Sequence, residues 1–111
     1  MIPESRRLQV YEAGKVTVVG FGGEEILDNI NIAECRDDLL ALVKDHGAEV
    51  IAFDLSGVRL IPSGLLGLMA SFRKMNLKIQ VYNPSPEIRE VFSMTKFDQL
   101  IEIRELDDTT S

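Results

Sequence analysis

The chain has 111 residues, 45% of them apolar and 27% charged, which is enough for one hydrophobic core and too little for two. Its 12 Lys and Arg against 18 Asp and Glu leave a net charge of −6, a poor footprint for nucleic acid, and the basic residues, such as Arg59, Arg73, Lys74 and Lys78, form no run. No apolar stretch approaches the roughly 20 residues of a membrane span, and Met1-Ile-Pro-Glu-Ser-Arg-Arg7 lacks the apolar core of a secretory signal, so a cytoplasmic location is expected.

In chain order the pattern opens with a hairpin. Leu8 to Tyr11 and Val16 to Val19 read as two strands, antiparallel neighbours turned at Ala13-Gly14, and Phe21-Gly-Gly23 breaks the sheet. A helix from Ile32 to Asp45 follows, with Asn31 as N-cap, Glu34 three residues on as a capping-box variant, and Gly47 as its stop. Leu39, Leu42 and Val43 share one of its faces. Cys35, the single cysteine, cannot form an internal disulfide, and its place on the apolar side of this helix predicts a buried, inert thiol.

Val50 to Phe53 is a short apolar run, the pattern of a strand buried on both faces, ending at Asp54 and the turn residues Ser56 and Gly57. Leu65, Leu68, Met69 and Phe72 then recur at helical spacing, and Ser63 stands two residues before the first, the position of an N-cap. Two roles are open to that serine. Its hydroxyl can accept a bond from a free backbone N–H, or it can carry a phosphate, which the positive end of the helix dipole would tolerate. Leu77 to Tyr82 reads as another strand, Ser85 and Pro86 as N-cap and first residue of a helix whose Ile88, Val91 and Phe92 face inward, and Phe97 to Ile103 as a turn and an edge strand. Strands separated by helices at this spacing imply parallel crossovers: an α/β fold with one mixed, mostly parallel sheet layered with helices. A single domain over 1–111 is expected, with its core at about 8–104 and a polar, flexible tail at 105–111.

Residues for catalysis are sparse. The only histidine, His46, sits at the polar end of a helix beside Gly47, and no G-x-S-x-G surrounds Ser63, so a Ser/His/Asp triad is not supported. One Cys and one His make a poor metal-ligand set, and Gly20-Phe-Gly-Gly23 is no P-loop. The sequence therefore predicts no catalytic residues, no metal and no cofactor.

Asp54-Leu-Ser-Gly-Val58, three further residues, then Pro62-Ser-Gly-Leu-Leu-Gly67 resembles the central motif of STAS domains, the anti-sigma factor antagonist family, commonly D-L-S-x-V-x-[FY]-[ILM]-D-S-[ST]-G-L-G. The run Val81 to Ile103 resembles that family's closing strand, helix and last apolar segment, and Leu27-Asp28 before a helix fits its first half, so the resemblance covers roughly residues 8 to 104. Gapless matching from Asp54 places Ser63 on the serine that a partner kinase phosphorylates in regulatory members.

What the resemblance implies is a non-enzymatic regulator. Unmodified, it would bind a serine-kinase anti-sigma factor; phosphorylation of Ser63 would end that binding and a phosphatase would restore it. The implied partner surface comprises Asp28 and Asn31 before the first long helix, Asp54 and Ser56 after the central strand, and Pro62, Ser63 and Gly64 at the start of the next helix. Each Asp can equally serve only to cap a turn. Three departures fall beside the serine: Pro62 replaces the usual aspartate, Gly64 a common hydroxyl residue, and Leu65 a common glycine. Pro62 and Gly64 favour an alternative, a constitutive scaffold or assembly subunit without phosphorylation control; a transporter-associated regulatory domain is a weaker third reading. Oligomeric state is not encoded in any motif of the chain.

Overall fold

A computed structural model describes residues 8–22, 27 and 30–105. The strands are β1 (Gln9–Glu12), β2 (Val16–Gly20), β3 (Val50–Asp54), β4 (Lys78–Tyr82) and β5 (Glu102–Arg104), and the helices α1 (Ile32–His46), α2 (Ser63–Lys74) and α3 (Pro86–Met94). A single 3-10 turn at Phe97–Gln99 precedes β5. They form one five-stranded sheet in the order β1-β2-β3-β4-β5, antiparallel between β1 and β2 and parallel elsewhere. The hairpin, the parallel crossovers and the closing edge strand are all where the sequence pattern places them.

Register explains where the core sits. Thr17 and Val19 of β2 pair with Ile51 and Phe53 of β3, these with Ile79 and Val81 of β4, and Val81 with Ile103 of β5. Partners in register share a face. On this face the side chains of β2, β3 and β4 are shut from water and face Leu39 of α1, Leu65, Met69 and Phe72 of α2, and Ile88 and Phe92 of α3 across one core, with Ile103 half-buried at its edge. Each fully buried Phe, Leu or Ile there contributes about 1.5–3 kcal/mol relative to exposure. The other face carries Val16, Val18, Val50, Gln80 and Tyr82, all half-buried or exposed and none part of that core. Ala52 on this second face is closed off between Val18 and Gln80, its register neighbours, so the centre of β3 is buried on both sides. At the end of β2, Tyr11 lies over Gly20, where a Cβ would come within 2.6 Å of its ring. The Tyr11 hydroxyl accepts from the Gly22 N–H at 3.0 Å.

The helix ends follow the sequence at α1 and α3. The Glu34 N–H donates to Asn31 Oδ1 at 3.1 Å, and Gly47, left-handed at φ 64°, ends α1 by donating its N–H to the Val43 carbonyl. The Ile88 N–H donates to Ser85 Oγ at 3.2 Å, with Pro86 as the first helical residue. Cys35 is buried, and His46 is the exposed last residue of α1. One expectation needs correction. Val91 points outward and is 38% exposed, because α3 is anchored through Ile88 and Phe92, four apart, and Val91 falls beside that stripe. Glu105 is ion-paired with Arg89 of α3, and residues 106–111 of the expected tail lie outside the described residues.

Candidate functional site

The parallel strands β2, β3 and β4 end together, Gly20 beside Asp54 and Asp54 beside Tyr82. The connections that leave this end are where a parallel sheet usually places a site. The longest described one, from Leu55 to Pro62, begins with a turn in which the Val58 N–H bonds the Leu55 carbonyl at 3.0 Å and Gly57 takes φ 81°. That left-handed value at the third turn position favours glycine. Asp54 Oδ1 accepts from both the Ser56 N–H at 3.0 Å and the Ser56 hydroxyl at 2.6 Å. The Asn83 amide in turn donates to Ser56 Oγ at 3.1 Å. Asp54 and Ser56 thus hold the turn and tie it to the end of β4.

Two links join this connection to the one before α1. The Leu27 N–H donates to the Leu60 carbonyl at 2.9 Å. Gly64, in the first turn of α2, faces Ile32, in the first turn of α1; a Cβ on Gly64 would stand 3.1 Å from Ile32 Cγ1. The two helix starts are therefore adjacent, as the sequence reading requires of Asn31, Pro62, Ser63 and Gly64. Asn31 spends its side-chain oxygen on capping α1. Asp28 lies outside the described residues.

The start of α2 differs from the expected arrangement. Pro62, extended at φ −76° and ψ 152°, occupies the N-cap, and Ser63 is the first helical residue. With ψ at 152° Pro62 is still extended, so the first helical residue is the one after it. Pro62 has no side-chain oxygen to offer, and the helix has no side-chain cap. The Ser63 hydroxyl is exposed and makes no hydrogen bond among the described residues. The N–H groups of Ser63 and Gly64 likewise have no acceptor there; the first backbone bond runs from the Leu65 N–H to the Pro62 carbonyl at 3.0 Å. No acidic residue stands in the first turn, whereas α1 has Glu34 and α3 has Glu87. The positive end of the α2 dipole is thus uncompensated.

The family profile of the STAS domain matches residues 7–110. The chain belongs to the STAS domain family. Among solved structures, this STAS domain is similar to the anti-sigma factor antagonist SpoIIAA in its unphosphorylated form, with a TM-score of 0.73, 16% identity and 86% of each chain covered. It is also similar to an anti-sigma-factor antagonist (STAS) domain protein from Planctomyces limnophilus, with a TM-score of 0.74, 19% identity, and 94% of this chain and 93% of that one covered. No curated protein sequence matches. At these identities the likeness is one of fold.

The STAS domain also has a groove beside its motif residues. Between α1 and α2 runs an open groove of about 430 Å³, lined by Ile32, Ala33 and Arg36 on one side and Gly64, Gly67 and Ser71 on the other. Gly67, a glycine in mid-helix, is the sequence signal that points to it. Among the described residues no group of three or more His, Cys, Asp or Glu is arranged to hold a metal. No described helix is long and apolar enough to cross a membrane.

Proposed function

We propose that this STAS domain is a non-enzymatic, cytoplasmic regulator that acts as an anti-sigma factor antagonist. It binds a serine-kinase anti-sigma factor through the adjoining starts of α1 and α2 and the Asp54 to Ser63 connection. Phosphorylation of Ser63 releases it, and a phosphatase restores binding. The observation that carries this reading is the unspent Ser63 hydroxyl: exposed, bonded to nothing described, at a helix start with free N–H groups and no carboxylate of its own. The shared fold with SpoIIAA supports it.

A phosphate on Ser63 adds about −1.5 to −2 charge units at the positive end of α2. In the free domain that charge is stabilised by the dipole, so modification leaves the fold intact. In a packed interface the same dianion must be desolvated and meets whatever acid the partner presents, and a few kcal/mol suffices to reverse the partner choice. The direct test is the intact mass of the protein from its own host, growing and stressed, with the modified residue mapped by fragmentation. One phosphate at Ser63 that varies with condition is expected. With the anti-sigma partner in hand, Ser63→Asp should weaken binding about tenfold or more and Ser63→Ala should preserve it; equal affinities would remove the switch.

The second reading, a constitutive scaffold, is favoured by Pro62 and Gly64, which leave the serine without the usual neighbouring aspartate and hydroxyl. On that reading Ser63 is unmodified in every condition while partners remain bound.

A further inference from the structure

The groove between α1 and α2 begins beside the Ser63 region at Gly64 and continues down the helices to Ser71. Its two glycines have different explanations. Gly64 has a neighbour that accounts for it, since a Cβ there would stand 3.1 Å from Ile32 Cγ1 and the Ile32 side chain would have to give way. Gly67 has none: a Cβ built on it meets nothing within 4 Å. A glycine within a helix costs about 1 kcal/mol relative to alanine, so a glycine there that no neighbour demands is a departure from the most stable sequence. What its missing side chain creates is the open floor of the groove.

Charge indicates what the groove fits. The only charged residue in its lining is Arg36, which makes no hydrogen bond or ion pair among the described residues, in a chain of net charge −6. Its guanidinium is a fork suited to a carboxylate, set beside apolar walls from Ile32 and Leu68. Ala33, Arg36, Gly64, Gly67 and Ser71 are all exposed, so the groove is open along its length. A small acid seated there would stay largely in water, whereas small-molecule sites typically enclose most of their ligand. A helix laid along the groove could seat an apolar side chain over Gly67 and a carboxylate on Arg36.

We infer that the α1/α2 groove receives a helical segment of a partner protein carrying an acidic side chain next to an apolar one, with Gly67 as the seat and Arg36 as the ion-pair donor. This rests on the protein-binding reading of the domain and extends its contact surface away from Ser63. The test is to pan a display library of randomised helical 15-residue peptides against the full chain, and to measure the enriched peptides on the wild type, Gly67→Leu, Arg36→Glu and Ser63→Asp.

Expected are peptides rich in Asp or Glu beside Leu or Met, shifting the amide resonances of Ala33, Gly64, Gly67 and Ser71. Their affinity should fall at least tenfold on Gly67→Leu and about tenfold on Arg36→Glu, and a second panning on Arg36→Glu should select Lys or Arg in place of the acid. Both variants are first checked for an unchanged circular dichroism spectrum and a melting point no lower than that of the wild type; the open space at Gly67 and the exposure of Arg36 leave folding intact. Peptides that bind Gly67→Leu or Arg36→Glu as well as wild type, an enriched set without acids, no enriched peptide, or octanoate alone producing those shifts would each overturn the inference. Peptides lost on Ser63→Asp but kept on Gly67→Leu would leave the Ser63 surface standing and remove the groove. The reverse pattern would keep the groove as a contact separate from the Ser63 surface.

Discussion

Two serines stand at the starts of two helices in this molecule, and they are used differently. Ser85 precedes α3, and its hydroxyl accepts the Ile88 N–H; Glu87 follows in the first turn, and its carboxyl titrates below the ordinary carboxylate range, held there first by a backbone N–H and then by Arg59. Ser63 opens α2 one position later in the helix frame, bonds nothing described, and has no acid beside it. Every local device that settles the start of α3 is missing from the start of α2. What remains there is an exposed hydroxyl in a positive field, a place that a dianion would complete.

The sharpest break in the comparison is at Gly64, which holds the start of α2 against α1. Gly64→Val should lower stability by about 1–3 kcal/mol through overpacking on Ile32, and pairing it with Ile32→Ala should return part of that loss, as read by urea unfolding. Next is the pair of serines themselves. Ser85→Ala should cost about 1 kcal/mol, whereas Ser63→Ala should stay within about 0.5 kcal/mol of wild type, since only the first removes a cap. A loss of about 1 kcal/mol at both would show that Ser63 caps after all. Gly67→Ala should raise stability by up to about 1 kcal/mol, visible as a higher melting temperature.

The smallest expected effect is in pH. Because the carboxyl of Glu87 is lowered in the folded state, its favourable contribution is present above the ordinary value of 4.5 and fades as pH falls through the lower folded value. Glu102, lowered by hydrogen bonds from Arg104 and Gln80, behaves alike. Carbon-detected titration should place both below the ordinary value of 4.5, and Arg104→Ala should move Glu102 back while leaving Glu87 where it is.

The layers and their order were legible because each rests on a local signal: alternation in Val16 to Val19, the 3.6 periodicity of Leu65, Leu68, Met69 and Phe72, and cap residues at Asn31, Gly47 and Ser85. The start of α2 lies one residue from the expected place because Ser63 satisfies the compositional rule for a cap, while Pro62, extended and without a capping oxygen, takes the position. Val91 was misread because its spacing from Ile88 is helical in phase, yet its direction is decided by which edge of the apolar stripe meets the sheet. Of the proposed surface, Asn31, Pro62, Ser63 and Gly64 are legible as neighbours through their helix starts. The groove is not a property of any one segment: Ala33 and Arg36 meet Gly67 and Ser71 only when α1 and α2, with β3 between them in sequence, pack together.

The single backbone bond from Leu27 to the Leu60 carbonyl makes one amide proton a sentinel for the whole site. Among the described residues it is the stitch between the connection leading to α1 and the one leading to Ser63, so any partner that draws the second connection outward must first release it. In hydrogen–deuterium exchange, the Leu27 amide would report engagement at Ser63 from the far side of the seam, without a label on either surface.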